Sequence, residues 1–150
     1  MTYYIIIRGP LGIGKSTIAK KLAKDIKAEY LAYDRILDEH GLTKDWEEGY
    51  ISQRSFLKAN KIATARARKI LKKKPVIFDG NFYWKSQIDD LINRLDYPHY
   101  VFTLKAPLKV CIARDEARKK VHGEDAARAV YKKSTSFSYG EIIDTKNKLD

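Results

Sequence analysis

The 150-residue chain has one cysteine, four prolines, eight glycines and three histidines, and no apolar run approaches the length of a membrane span. A lone thiol cannot form an internal disulfide, and the apolar helical stretch around Cys111 suits a buried, inert side chain. His40, His99 and His122 show no metal-ligand spacing with cysteine or carboxylates, which argues against a zinc site. A spanning helix needs about 20 consecutive apolar residues, and none are present. Met1-Thr2-Tyr3-Tyr4 leads through three isoleucines into a glycine-rich loop without a small-residue cleavage site, so a cytoplasmic protein with no membrane partner is expected. Acidic residues are in deficit: 19 Asp and Glu face 30 Lys and Arg, leaving a net charge of +11. That surplus favours polyanions in a general way, but much of it lies in solvated faces such as Lys20-Lys21 with Lys24 and Lys72-Lys73-Lys74. Nucleic acid is therefore a permitted partner and not the favoured one, since no nucleic-acid module accompanies the charge. Repeats and linkers are missing too, and the length suits one domain over residues 1–150, expected as a monomer.

What the chain does have is Gly9-Pro10-Leu11-Gly12-Ile13-Gly14-Lys15-Ser16, followed by Thr17, between the apolar run Tyr3 to Ile7 and a helix-like run ending near Ile26. This is the spacing of a P-loop. Glycines let successive backbone N–H groups turn inward on an anion, and the helix that follows adds the positive end of its dipole. Lys15 would reach the β- and γ-phosphates of ATP, and the Ser16 hydroxyl would ligate Mg²⁺. The context fits: a β-branched strand precedes the loop, and Ala19, Leu22, Ala23 and Ile26 stripe the helix after it.

Strand and helix patterns alternate along the chain. Strands are expected at residues 3–8, 29–33, 76–79, 99–104 and 141–143, and helices at 15–26, 50–73, 85–94, 108–119 and 126–133. Such alternation predicts an α/β fold of three layers, with a five-stranded parallel sheet in the order 2-3-1-4-5, helices on both faces and a short lid. Ligands of such sheets sit beyond the carboxyl ends of the strands, which directs attention to the residues there.

Asp34 follows the second strand and could orient or deprotonate an acceptor hydroxyl, or could cap a helix beginning at Arg35. Asp79 ends Pro75-Val76-Ile77-Phe78 and has the setting of a Mg²⁺-binding acid, although Asp before Gly80 is also ordinary turn chemistry. Asn81, Arg35 and Arg54 are candidates for gripping the acceptor, whose region spans residues 34–60. Trp46, Tyr50, Phe56, Phe82, Tyr83 and Trp84 would suit stacking on a ring, and core packing accounts for them equally well. Arg114 and Arg118 fall on one helix face beside a basic, glycine-containing stretch over about residues 115–125 that suits a lid. They would stabilise transition-state charge, or else form surface ion pairs with nearby acids.

On Gly9 to Thr17, Asp34, Val76-Ile77-Phe78-Asp79-Gly80-Asn81-Phe82, Arg114 with Arg118, and Ile142-Ile143-Asp144-Thr145, the chain resembles the small P-loop kinases. The group in question joins zeta toxins, chloramphenicol phosphotransferase and the kinase domain of polynucleotide kinase. The resemblance implies an ATP- and Mg²⁺-dependent kinase acting on a hydroxyl, with Asp34 as base, Arg118 on the phosphates, and Asp144, Thr145 and Lys146 in the adenine pocket. The second aspartate and Gly-Gly-Gly turn of shikimate kinases are absent. The alternative is a regulatory nucleotide-binding module, but the Asn-Lys-x-Asp guanine signature that a GTPase-like module would carry is missing, and Thr145-Lys146-Asn147-Lys148 does not supply it.

Overall fold

In the computed structural model, which describes residues 2–10, 13–117 and 123–145, the run before the glycine-rich loop becomes β1 (Tyr4–Arg8), buried along its whole length. Consecutive isoleucines suit a strand covered on both faces, where neither side needs polar residues. β1 pairs in parallel with β5 (Val76–Asp79) on one side and β6 (His99–Lys105) on the other. β2 (Glu29–Ala32) lies outside β5, and β7 (Glu141–Asp144) outside β6, so the sheet runs β2-β5-β1-β6-β7, all parallel. This is the order expected from the sequence. Only the numbering differs, because a hairpin of β3 (Trp46–Glu47) and β4 (Tyr50–Ile51) stands apart from the sheet.

The helices are α1 (Lys15–Ile26), α2 (Tyr33–Glu39), α3 (Gln53–Ile70), α4 (Lys85–Arg94), α5 (Leu108–Glu116) and α6 (Glu124–Ser134). Alternation along β1 separates two cores. Tyr4 and Ile6 join Ile36, Phe56, Ala63 and Ile88 from α2, α3 and α4, whereas Ile5 and Ile7 join Ala19, Ala23 and Cys111 from α1 and α5. Cys111 is buried, as its surroundings suggested.

Two expectations are corrected. The helix expected from Tyr50 starts at Gln53, where Ser52 is the N-cap and its hydroxyl accepts from the Ser55 N–H at 3.0 Å. Tyr50 and Ile51 instead close the hairpin, across a two-residue turn with Glu48 at φ 55° and Gly49 at φ 85°. Two successive left-handed residues give the turn a twist that matches the strands. Secondly, α2 begins at Tyr33, directly after β2, with Ala32 as its N-cap; Asp34 lies in the first turn and is not the cap.

Arg8 carries an unexpected load. Its guanidinium is fully buried and donates to the Phe82 carbonyl (3.2 Å), Thr103 Oγ1 (3.2 Å) and the Ser134 carbonyl (2.6 Å), with the Phe137 ring 4.3 Å away. Desolvation pulls its pKa down to about 10, so it remains a cation at neutral pH among neutral partners. Its pKa lies below the unfolded value, so burial subtracts stability at neutral pH, and that cost fades as pH rises through about 10. The hydrogen bonds nevertheless make it hard to remove. Arg8→Met removes a donor from the Phe82 and Ser134 carbonyls and from Thr103 Oγ1, whose hydroxyl keeps its own bond to the Tyr139 carbonyl, and should cost about 3–5 kcal/mol. A melting curve followed by circular dichroism should fall by about 10 °C for a domain of this size. An unchanged curve would show that water replaces the guanidinium without loss.

Candidate functional site

The glycine-rich loop passes into α1 through Gly14, whose φ of 96° is a left-handed value that side chains rarely adopt. Ile13 is fully buried and anchors the loop in the core. No acid occupies the first turn of α1, so the helix N-terminus is left to an outside anion. The Lys15 ammonium arches back to donate to the Pro10 carbonyl at 3.2 Å, which keeps it over the loop.

Opposite the start of α1 stands Asp79, the last residue of β5, paired in register with Ile7 and Ala32 and almost wholly buried. Its Oδ2 accepts from the Ser16 hydroxyl at 3.0 Å and from the Tyr30 hydroxyl. The two residues expected to hold a metal are thus brought together. One carboxylate and one hydroxyl form an all-oxygen set with few protein ligands, which suits Mg²⁺, an ion that keeps several waters and shares phosphate oxygens. Tyr30 was not foreseen as part of the site. Burial, reinforced by its bond to Asp79, pushes the phenol pKa well above its ordinary value, so it is a permanent donor to that carboxylate. Its position on the α1 face of β2 was readable, but its reach across to β5 was not.

A cavity of about 440 Å³ opens here, lined by Lys15, Ser16, Tyr30, Asp34 and Asp79, with Arg35 at its edge. A second, of about 550 Å³, is walled by Trp46, Tyr50, Tyr83 and Asn81, with part of α6 beyond. Asp34 and Asp38, one turn apart on α2, line both cavities and form the partition between them.

The remaining candidates divide. Asn81 reaches the second cavity because the turn after β5 places Phe82 at φ 47°, a left-handed value for a bulky residue. Such strain persists only when the surroundings hold it, and here Arg8 grips the Phe82 carbonyl while Tyr33 packs edge-on to its ring at 4.9 Å. Arg35 lines the first cavity and lies 3.6 Å from Glu39. Arg54 does not come to the site: Asp45 takes its guanidinium in two bonds, of 3.1 and 2.8 Å, and Arg54 borders neither cavity. The aromatic residues split as well, since Trp46, Tyr50 and Tyr83 face the second cavity while Phe56, Phe82 and Trp84 pack in the core.

Arg114 packs against the loop from α5. It donates to the Ile13 carbonyl at 3.1 Å, to Thr145 Oγ1 at 3.2 Å and to the Thr145 carbonyl, and so ties the loop to the chain just after β7. Thr145 itself is buried and hydrogen-bonded to the Lys105 carbonyl, continuing the register that pairs Asp144 with Lys105. Arg114 borders a shallow hollow on α5 with Val110 and Ala113 and does not line the cavity that holds Lys15 and Asp34. This places it beside the loop, where it clamps the Ile13 carbonyl. Leu11, Gly12, Arg118 and Lys146 lie outside the described residues, as does the middle of the expected lid.

The family model described as AAA domain matches residues 5–137. Shikimate kinases of Francisella tularensis, including those of subsp. novicida strain U112 and subsp. tularensis strain SCHU S4, are 39% identical to the chain over 56 residues. That match covers 33% of this chain and 32% of theirs, about a third of their length. Solved structures agree over far more of the chain at low identity. A gluconokinase from Sinorhizobium meliloti 1021 superposes with a TM-score of 0.73 at 14% identity, over 96% of this chain and 83% of that one. A sugar kinase from Janibacter sp. HTCC2649 gives 0.72 at 16% identity, over 97% and 86%. The tunicamycin resistance protein of Deinococcus radiodurans gives 0.63 at 19%, over 96% and 86%. At these identities the likeness is one of fold.

Proposed function

The chain belongs to the AAA domain family of P-loop kinases, and on that premise we propose that it transfers the γ-phosphoryl group of ATP to a hydroxyl acceptor. The observation that carries this is the bond of 3.0 Å between Ser16 and Asp79 on the floor of a cavity also lined by Lys15 and Asp34. Phosphoryl transfer asks for positioning and charge neutralisation, and these four side chains supply each part. The loop amides and Lys15 hold the phosphates. Ser16 and Asp79 would hold Mg²⁺, which would supply charge neutralisation for the transferred phosphoryl group. Asp34, on the partition, faces both the phosphate cavity and the acceptor cavity, so it can orient an incoming hydroxyl and take its proton. Arg114 and Thr145 keep the loop in place from behind through the Ile13 carbonyl.

The test is transfer from γ-labelled ATP to pooled hydroxylated metabolites. Mg²⁺-dependent labelling of an acceptor is expected, and ATP binding with slow hydrolysis alone would favour a regulatory module. Tyr30→Phe should raise the Mg²⁺ concentration needed for half-maximal transfer by about tenfold, the usual effect of losing a hydrogen bond to a metal ligand. Its kcat at saturating Mg²⁺ should change little. A titration indistinguishable from wild type would leave Tyr30 with a packing role only.

A further inference from the structure

We infer that the acceptor is a ring-bearing alcohol without negative charge, held at Asp38 through an amine or other hydrogen-bond donor; this rests on reading the larger cavity as the acceptor site. The walls of that cavity are largely aromatic and aliphatic. Trp46 is the most telling of them, an indole 61% exposed that lines the cavity and is fixed by its own bond to the Thr43 carbonyl at 3.0 Å. A large exposed ring facing a concave site is better explained by a ring that stacks on it than by the core.

Charge then narrows the choice. Both carboxylates on the wall of this cavity are on α2, Asp34 and Asp38, and no lysine or arginine lines it among the described residues. Two carboxylates one turn apart on α2 repel each other, which disfavours the helix unless something between them is gained. Asp34 is assigned to the reacting hydroxyl, so Asp38 is left facing whatever the acceptor carries about 5–6 Å further on. Lys133 does not line the cavity, and its ammonium is already engaged behind the wall, 3.5 Å from the centre of the Trp84 ring, 4.9 Å from that of Tyr50 and 3.8 Å from Glu48. A carboxylate- or phosphate-bearing acceptor would meet two like charges here with no described cation on the cavity wall to offset them, whereas an amine, amide or neutral hydroxyl would find a partner.

The experiment measures kcat/KM for labelled phosphate transfer to uncharged nucleosides, an aminoglycoside, gluconate, shikimate and nucleoside monophosphates. It uses wild type, Asp38→Asn and Asp38→Lys, with MgATP binding followed in parallel by thermal shift. Transfer to the uncharged or cationic compounds should exceed transfer to the anions by about tenfold or more, which corresponds to about 1.4 kcal/mol. Asp38→Asn should lower kcat/KM for the cationic acceptor about tenfold without moving the KM for ATP, and Asp38→Lys should shift preference towards the anions. A purely structural role for Asp38 would lower all acceptors alike. Faster transfer to gluconate, shikimate or a nucleoside monophosphate in the wild type would overturn the inference and leave the kinase reading standing. Binding of MgATP with no acceptor labelled from either class would instead overturn the kinase reading, and the inference with it.

Discussion

Asp34→Asn should slow phosphoryl transfer about 10²–10⁴-fold, the range over which a positioned general base acts, while the Kd for MgATP stays at its wild-type value. The reason lies in where α2 begins. β2 delivers the chain into the helix at Tyr33, so Asp34 is presented in the first turn, at the carboxyl end of the sheet, on the wall shared by both cavities. Asparagine keeps the size and the hydrogen-bonding oxygen but cannot accept a proton at neutral pH. It also forfeits the favourable interaction of a carboxylate with the helix N-terminus, worth about 0.3–1 kcal/mol, which corresponds to a melting shift of only a few degrees. Stopped transfer with near-native melting identifies the chemical role. A stability loss with transfer intact would mean that the helix dipole accounts for Asp34 entirely.

Lys15→Ala should reduce transfer by at least about 10²–10³-fold, the cost of removing one preorganised charge from a phosphoryl or oxyanion site, and should also weaken ATP binding. The loop does not depend on this side chain for its shape. Gly14 sets the left-handed turn, Ile13 is buried beneath, and Arg114 and Thr145 hold the Ile13 carbonyl from the far side. The far-ultraviolet spectrum and melting temperature should therefore remain those of the wild type. Unchanged turnover would remove the phosphate-binding role assigned to the loop.

Much of this was legible in the chain because its signals are local or periodic. The glycine spacing, the isoleucine run of β1 and the apolar stretch before Asp79 each announce a strand end, and a parallel order follows from alternation with helices. Three kinds of feature were not legible. The hairpin that builds the aromatic wall turns on Glu48-Gly49, a pair far weaker as a signal than Asn-Gly, and its two-residue strands are too short for any alternation. α2 has seven residues and starts without a spacer after β2, so the sequence offers a helix here only as an alternative reading of Asp34, and with its start two residues late. The roles of Tyr30, Arg8, Arg54 and Arg114 depend on partners 49, 74–126, 9 and 31–101 residues away, and no spacing rule reports such meetings. Arg54 illustrates the point: Asp45 takes it because the hairpin folds that acid back over the start of α3, an event invisible before the turn is known.

The most direct measurement of the central claim follows ADP formation from MgATP with and without a mixture of hydroxylated acceptors, in wild type and in Asp34→Asn. The account predicts acceptor-dependent turnover, recovery of the label on a hydroxyl, and loss of both in the variant with ATP still bound. Turnover that is equal with and without acceptors, and indifferent to Asp34, would contradict it and make the chain a nucleotide hydrolase or switch.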